Sequence, residues 1–189
     1  MTSTPDTIVD QVEEATRGSL PPLDKWNPDL SGEMDLRINR DGEWIFQGSP
    51  IKRETITKLF STILRREEDG EYYLITPVEK WHIHVDDTPL YAHTLEVTGS
   101  GQDQQVSLRT NFNESLPIGS QHPLRIEVYE DSGEPRPLVR VRQGFDARIV
   151  SSAYYEMARY AVEDPDRPGE YGLWSGGEFF PLAAGAEQA

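Results

Sequence analysis

Apolar residues recur along this chain with two periods, and each period predicts a different element. Ile56, Leu59, Phe60, Ile63 and Leu64 fall at helical spacing. They predict a helix capped by Ser49, with Pro50 in its first turn and Arg65 and Arg66 at its C-terminal end. Val150, Ala153, Tyr154, Met157, Ala158 and Ala161 predict a second helix over residues 146–162, capped by Asp146. A thinner stripe of Ile8, Val12 and Ala15 behind Thr4-Pro5 predicts a short, loosely attached helix over residues 4–17. Elsewhere the period is two. Met34, Leu36 and Ile38 alternate with polar residues, and Trp44 and Phe46 share one face of a return strand. Further strands are predicted over residues 71–75, 78–85, 91–97, 105–110, 124–129 and 138–142. Turns bearing Gly and Pro separate them, which reads as an antiparallel meander.

One turn recurs. The runs DGEWIF from Asp41, DGEYYL from Asp69 and GGEFFP from Gly176 each place Gly-Glu before two aromatic or large apolar residues. The two long apolar stripes also superpose with one constant shift. Turn chemistry alone favours Asp-Gly, but hairpin type and helix phase agree together, which points to an internal duplication. The expected fold class is α+β: two related strand–helix halves, each an antiparallel sheet packed with one long helix. The expected boundaries are an acidic extension over 1–23, an N-terminal half over 24–76, a C-terminal meander-plus-helix half over 77–182 and a flexible tail over 183–189.

Composition narrows the function classes. The 189 residues include four Trp, eight Tyr and six Phe, enough large side chains for a real core, and no Cys. Disulfides, thiolate nucleophiles and Cys-based metal sites are thereby excluded. The net charge of −15 is concentrated at the two ends of the chain. It opposes binding to a nucleic-acid polymer or an anionic membrane. The N-terminal stretch has neither a basic start nor an apolar core, so no signal peptide is expected and a cytoplasmic location is the default.

The segment Trp26 to Pro28, the long run from Asp41 to Lys80, VRVRQGFDARIV from Val139 and GLWSGGEFF from Gly172 resemble, in order and spacing, the bacterial family called domain of unknown function 1285. The resemblance covers residues 24–182. It implies a duplicated α+β architecture with a pleckstrin-homology-like C-terminal half. It also implies a ligand site between the halves, for a nucleotide-like molecule, and a signalling role. It implies no biochemical activity.

Few residues carry candidate chemistry. Lys52 and Arg53 fall in the first turn of the first long predicted helix, and Arg148 has a similar place in the second. Two helix starts with cations and free N–H groups would make an anion pocket if they faced one another. Arg140 and Arg142 alternate on one strand face and join Arg148 in a basic cluster. Thr76 and Glu79 suit either a ligand's hydroxyl groups or a turn. Trp174 and Ser175, in a Trp-Ser-Gly-Gly turn, offer an aromatic face and mobile backbone, or a hairpin with a core Trp. His82, His84 and Asp86 share a strand phase, and with His93 or His122 they define a metal-hydrolase alternative. A protein-interaction adaptor that accepts an added strand is the other alternative. No catalytic motif is present, and no catalytic residue, metal or cofactor is assigned.

Overall fold

Two three-stranded meanders build the first sheet. β1 (Leu30–Ile38), β2 (Trp44–Phe46) and β3 (Ser49–Pro50) form one meander, and β4 (Leu64–Arg66), β5 (Tyr72–Ile75) and β6 (Lys80–Val85) form the other. Their order in the sheet is β3-β2-β1-β6-β5-β4. All neighbours are antiparallel except β1 and β6, which run parallel and close the two meanders into one sheet. The Asp-Gly turns fall where the sequence places them, with Gly42 and Gly70 in the left-handed region that glycine adopts without penalty.

A second sheet repeats this topology. β7 (Leu90–Thr98), β8 (Gln105–Thr110) and β9 (Ser115–Pro117) form its first meander, and β10 (Leu124–Val128), β11 (Pro135–Arg142) and β12 (Phe145–Ile149) its second. The order is β10-β11-β12-β7-β8-β9, again with the first and last strands, β7 and β12, paired in parallel. Both sheets are therefore mixed, not antiparallel. Alternation reveals a strand's buried face but not its neighbour's direction, so the closing parallel pairs are invisible in the pattern. A three-stranded sheet of β13 (Val162–Asp164), β14 (Arg167–Ser175) and β15 (Glu178–Pro181) follows.

The computed structural model describes residues 3–142 and 144–184. The chain divides into two compact units, Met1–Pro89 and Leu90–Ala189. The division falls after Pro89 and not after Thr76, because β6 pairs with both β1 and β5 and belongs to the first unit. Of the expected tail, residues 185–189 lie outside the described residues.

The helices are shorter than the stripes predict. α2 covers Glu54–Thr62, with Arg53 as its N-cap. Ser49 and Pro50 lie in β3, because Gln47 and Gly48 turn the chain straight back after β2. Ile63 leaves the helix, and Leu64 pairs with Leu74. α3 covers only Ser151–Ala158, and Asp146 lies in β12 instead of capping a helix. α2 stands between two meanders, whereas α3 follows both. The matching helix stripes are therefore not equivalent positions, and the likeness of the two halves lies in strand order.

α1 (Pro5–Thr16) is capped by Thr4, whose Oγ1 accepts from the N–H of Thr7 at 3.3 Å. It is not a loose extension. Ile8 and Val12 are fully buried in the core that also holds Leu36, Phe60 and Leu74. Among the described residues no helix is long and apolar enough to cross a membrane.

Candidate functional site

Strand alternation sorts the second sheet into an apolar face and a charged one. Register places Arg125 opposite Leu138, Glu127 opposite Arg136, Arg148 opposite Leu138 and Arg140 opposite Asp146. Arg125, Glu127, Arg136, Arg140, Asp146 and Arg148 thus share one face of β10, β11 and β12. Asp146 is only 6% exposed. It accepts from Arg125 Nη2 at 2.8 Å and from Arg140 Nε at 2.6 Å. Glu127 accepts from Arg125 Nε at 2.8 Å and Arg136 Nη1 at 2.7 Å. Burial pushes both carboxyls up, but the arginine hydrogen bonds outweigh it and hold both below the usual carboxylate range. The same bond to Asp146 raises the pKa of Arg125. The result is a patch with more arginines than acids in a chain of net charge −15.

Arg125 also borders a cleft of about 600 Å³ in the same unit. Leu124, Arg125 and Ile126 line it from β10, and Arg167, Glu170 and Tyr171 from β14. Arg167 is oriented by Asp164, a buried acceptor at 3.0 Å from its Nε, and by Glu170 at 2.9 Å from its Nη1. The Tyr171 ring is exposed. Two carboxylate-paired guanidinium groups and an exposed aromatic ring therefore line one concavity. Such a set can hold a carboxylate or phosphate against a planar or apolar group.

The residues singled out in sequence are distributed differently. Lys52 is exposed and precedes α2, and the Arg53 side chain pairs with Asp6 of α1. Arg148 lies within β12, not at a helix start. The premise of two cationic helix starts is thus corrected. Thr76 is fully buried, and its Oγ1 accepts from the N–H groups of Val78 at 3.3 Å and Glu79 at 3.0 Å, closing the β5–β6 turn. Glu79 accepts from Ser3, Gln11 and Trp81, which fastens α1 to its unit. Arg142 lies 4.4 Å over the Phe145 ring, and burial pushes its pKa down. Trp174 meets Phe179 edge-on at 5.4 Å. Ser175 is fully buried, and its Oγ accepts from Val106 N–H at 3.0 Å and donates to the Ile118 carbonyl at 2.7 Å. Of the nine candidates, the structure brings Arg140 and Arg148 together on the charged face.

His82 lies 3.1 Å from Glu71, and His84 lies 3.2 Å from Asp86. Arg37 occupies both oxygens of Asp86, at 2.7 and 2.6 Å. His93 lies beside Tyr91, and His122 Nδ1 donates to the Arg140 carbonyl at 2.8 Å. Among the described residues no group of three His, Asp or Glu side chains is arranged to hold a metal.

Arg125, Arg167 and Tyr171 are not among the residues that the sequence singles out. Arg125 was legible as the outward residue of a predicted strand. Arg167 sits in the Asp-Pro-Asp-Arg-Pro-Gly run, which reads only as a helix stop.

Comparison with known proteins follows the same division. Residues 21–88 match the DUF1285 N-terminal domain, described as a domain of unknown function, and residues 89–182 match the DUF1285 C-terminal domain, described as a protein of unknown function. A DUF1285 family protein of Silicibacter pomeroyi DSS-3, known from its crystal structure, is 40% identical with a TM-score of 0.81. That likeness covers 90% of this chain and 93% of that one. A DUF1285 family protein of Shewanella baltica OS155 shares the fold at 24% identity and a TM-score of 0.51, over 67% of this chain and 91% of that one. No curated protein matches the chain. Both matched domains, in order and across nearly all of its length, make this chain a member of the DUF1285 family.

Proposed function

We propose that this protein is a non-enzymatic binding module that holds a small anionic ligand in the cleft of its second unit. The observation that carries the reading is the meeting of Arg125, Arg167 and Tyr171 at one concavity of about 600 Å³. Arg125 is held by buried Asp146 and half-buried Glu127, and Arg167 by buried Asp164 and exposed Glu170, and each keeps N–H donors for a ligand: Nη1 of Arg125 and Nη2 of Arg167 carry no hydrogen bond to a described residue. A guanidinium fixed in this way binds carboxylate or phosphate without losing much rotamer freedom. A nucleotide-like ligand, with its base on Tyr171 and its phosphate between the arginines, is one form of this reading. A cytoplasmic signalling role belongs to the same proposal. So does a pleckstrin-homology-like second unit, a likeness supported by a helix that follows two meanders. The hydrolase alternative draws no support from an Asp86 whose two oxygens are held by Arg37.

Thermal unfolding with phosphate, nucleotides and sugar phosphates at millimolar concentration tests the reading. A ligand at ten times its Kd adds about 1.4 kcal/mol, a rise of about 3–5 °C in Tm for a chain of this size. Arg167→Gln should abolish that rise. No rise with any of these anions would end the proposal.

A further inference from the structure

Charge alone does not choose the ligand of the cleft. Arg125 pairs with Asp146 and Glu127, and Arg167 pairs with Asp164 and Glu170. What the walls keep is a mixture of hydrogen-bonding groups. Nη1 of Arg125 and Nη2 of Arg167 are donors without a partner among the described residues. Glu170 meets Arg167 through Oε2 at 2.9 Å, so its Oε1 is an acceptor in the same condition, close beside a donor. The Tyr171 hydroxyl can donate and accept, and its ring is exposed. A phosphate or carboxylate oxygen at neutral pH only accepts, and it leaves Glu170 unused. A hydroxyl donates once and accepts twice. Two neighbouring hydroxyls therefore satisfy the Arg167–Glu170 pair together, one accepting from Nη2 and the next donating to Oε1.

We infer that the body of the ligand is a hydroxylated sugar ring with one acidic group, a step that rests on the reading of this cleft as a small-anion site. The acidic group takes the donors of one arginine, and neighbouring ring hydroxyls take the Arg167–Glu170 pair. A planar base carries its polar atoms in one plane along its edges. A saturated ring carries hydroxyls around its whole rim and C–H groups on its faces, which suits a cleft with polar groups on two walls. Those groups stand on β10 and β14, while Tyr171, Pro181 and Ala183 add apolar lining. The exposed Tyr171 ring offers a flat surface for one C–H face of the sugar. A volume of about 600 Å³ lies within the range of small-molecule sites.

The test is calorimetric titration of the full chain with glucose 6-phosphate, mannose 6-phosphate and galactose 6-phosphate, beside inorganic phosphate and adenosine monophosphate. At least one hexose phosphate should bind at least about tenfold more tightly than either control. If every hexose phosphate stays within tenfold of inorganic phosphate, or if adenosine monophosphate binds more tightly than all three, the sugar ring is lost while the anion reading survives. If nothing binds, both are lost. Glu170→Gln separates the two readings in a second way. Glu170 is exposed, so the change leaves the fold intact. It replaces an acceptor with a donor and removes a negative charge from beside Arg167. Inorganic phosphate should then bind as before or more tightly, and the hexose phosphate about threefold to tenfold more weakly, the effect of one lost hydrogen bond. A hexose phosphate that binds the variant as tightly as the parent, or more tightly, would overturn the inference.

Discussion

At the scale of single residues, the placement of Asp146 decides the character of the second unit. Its sequence context, Phe-Asp-Ala-Arg ahead of an apolar stripe, reads as a helix cap, because Asp accepts well from free N–H groups. Instead it sits inside a strand, buried between Arg125 and Arg140. Asp146→Asn should destabilise the protein by about 1–2 kcal/mol, the cost of weakening two charge-assisted hydrogen bonds to half-exposed arginines, as read by urea unfolding at pH 7. The lowered carboxyls of Asp146 and Glu127 set the sign of the pH dependence. A carboxyl lowered in the folded state contributes stability that is complete above its unfolded pKa, about 4. That contribution is lost as pH falls through the folded value. Stability should therefore drop as pH falls below about 4, and more gently in Asp146→Asn. An unchanged slope would mean that other carboxylates dominate acid unfolding.

At the scale of elements, the recurring Gly-Glu hairpin is what turn chemistry alone would produce. It joins β1 to β2, β4 to β5 and β14 to β15. The third lies outside both six-stranded sheets. β14 leaves no room for a side chain at Gly172. Gly172 pairs with Pro181, and a Cβ there would lie 2.3 Å from the Phe180 carbonyl oxygen and 2.8 Å from the Phe179 ring. Gly172→Ala must push the β14–β15 hairpin apart. We expect a loss of about 2–3 kcal/mol from overpacking, visible as a lower Tm, and a weaker response to cleft ligands because β14 forms one wall. A Tm within a degree of the parent would show that the hairpin yields without cost. α1 shows the opposite lesson. Its thin stripe looks like a weak attachment, yet two side chains buried completely are enough to join a core when Glu79 collects three donors around it.

At the scale of the whole molecule, each unit has its own sheet, and the first has an apolar core drawn entirely from residues 8–85. A chain of residues 1–89 should therefore unfold cooperatively by itself, with dispersed amide resonances. A fragment lacking both would show that the first unit depends on the rest of the chain. What the sequence determined by itself was local: the hairpin turns at Asp41-Gly42 and Asp69-Gly70, the faces of most strands, the cap of α1 and the family. These follow from backbone preferences and from period, which act over a few residues. Only the tertiary structure decided the parallel pairs that close each sheet, the true ends of α2 and α3, and the union of Arg125 with Arg167 across a cleft. Those depend on which distant segments exclude water from one another. Two residues 42 positions apart carry no mark of lining one cleft until the fold packs β15, the hairpin partner of β14, against β10.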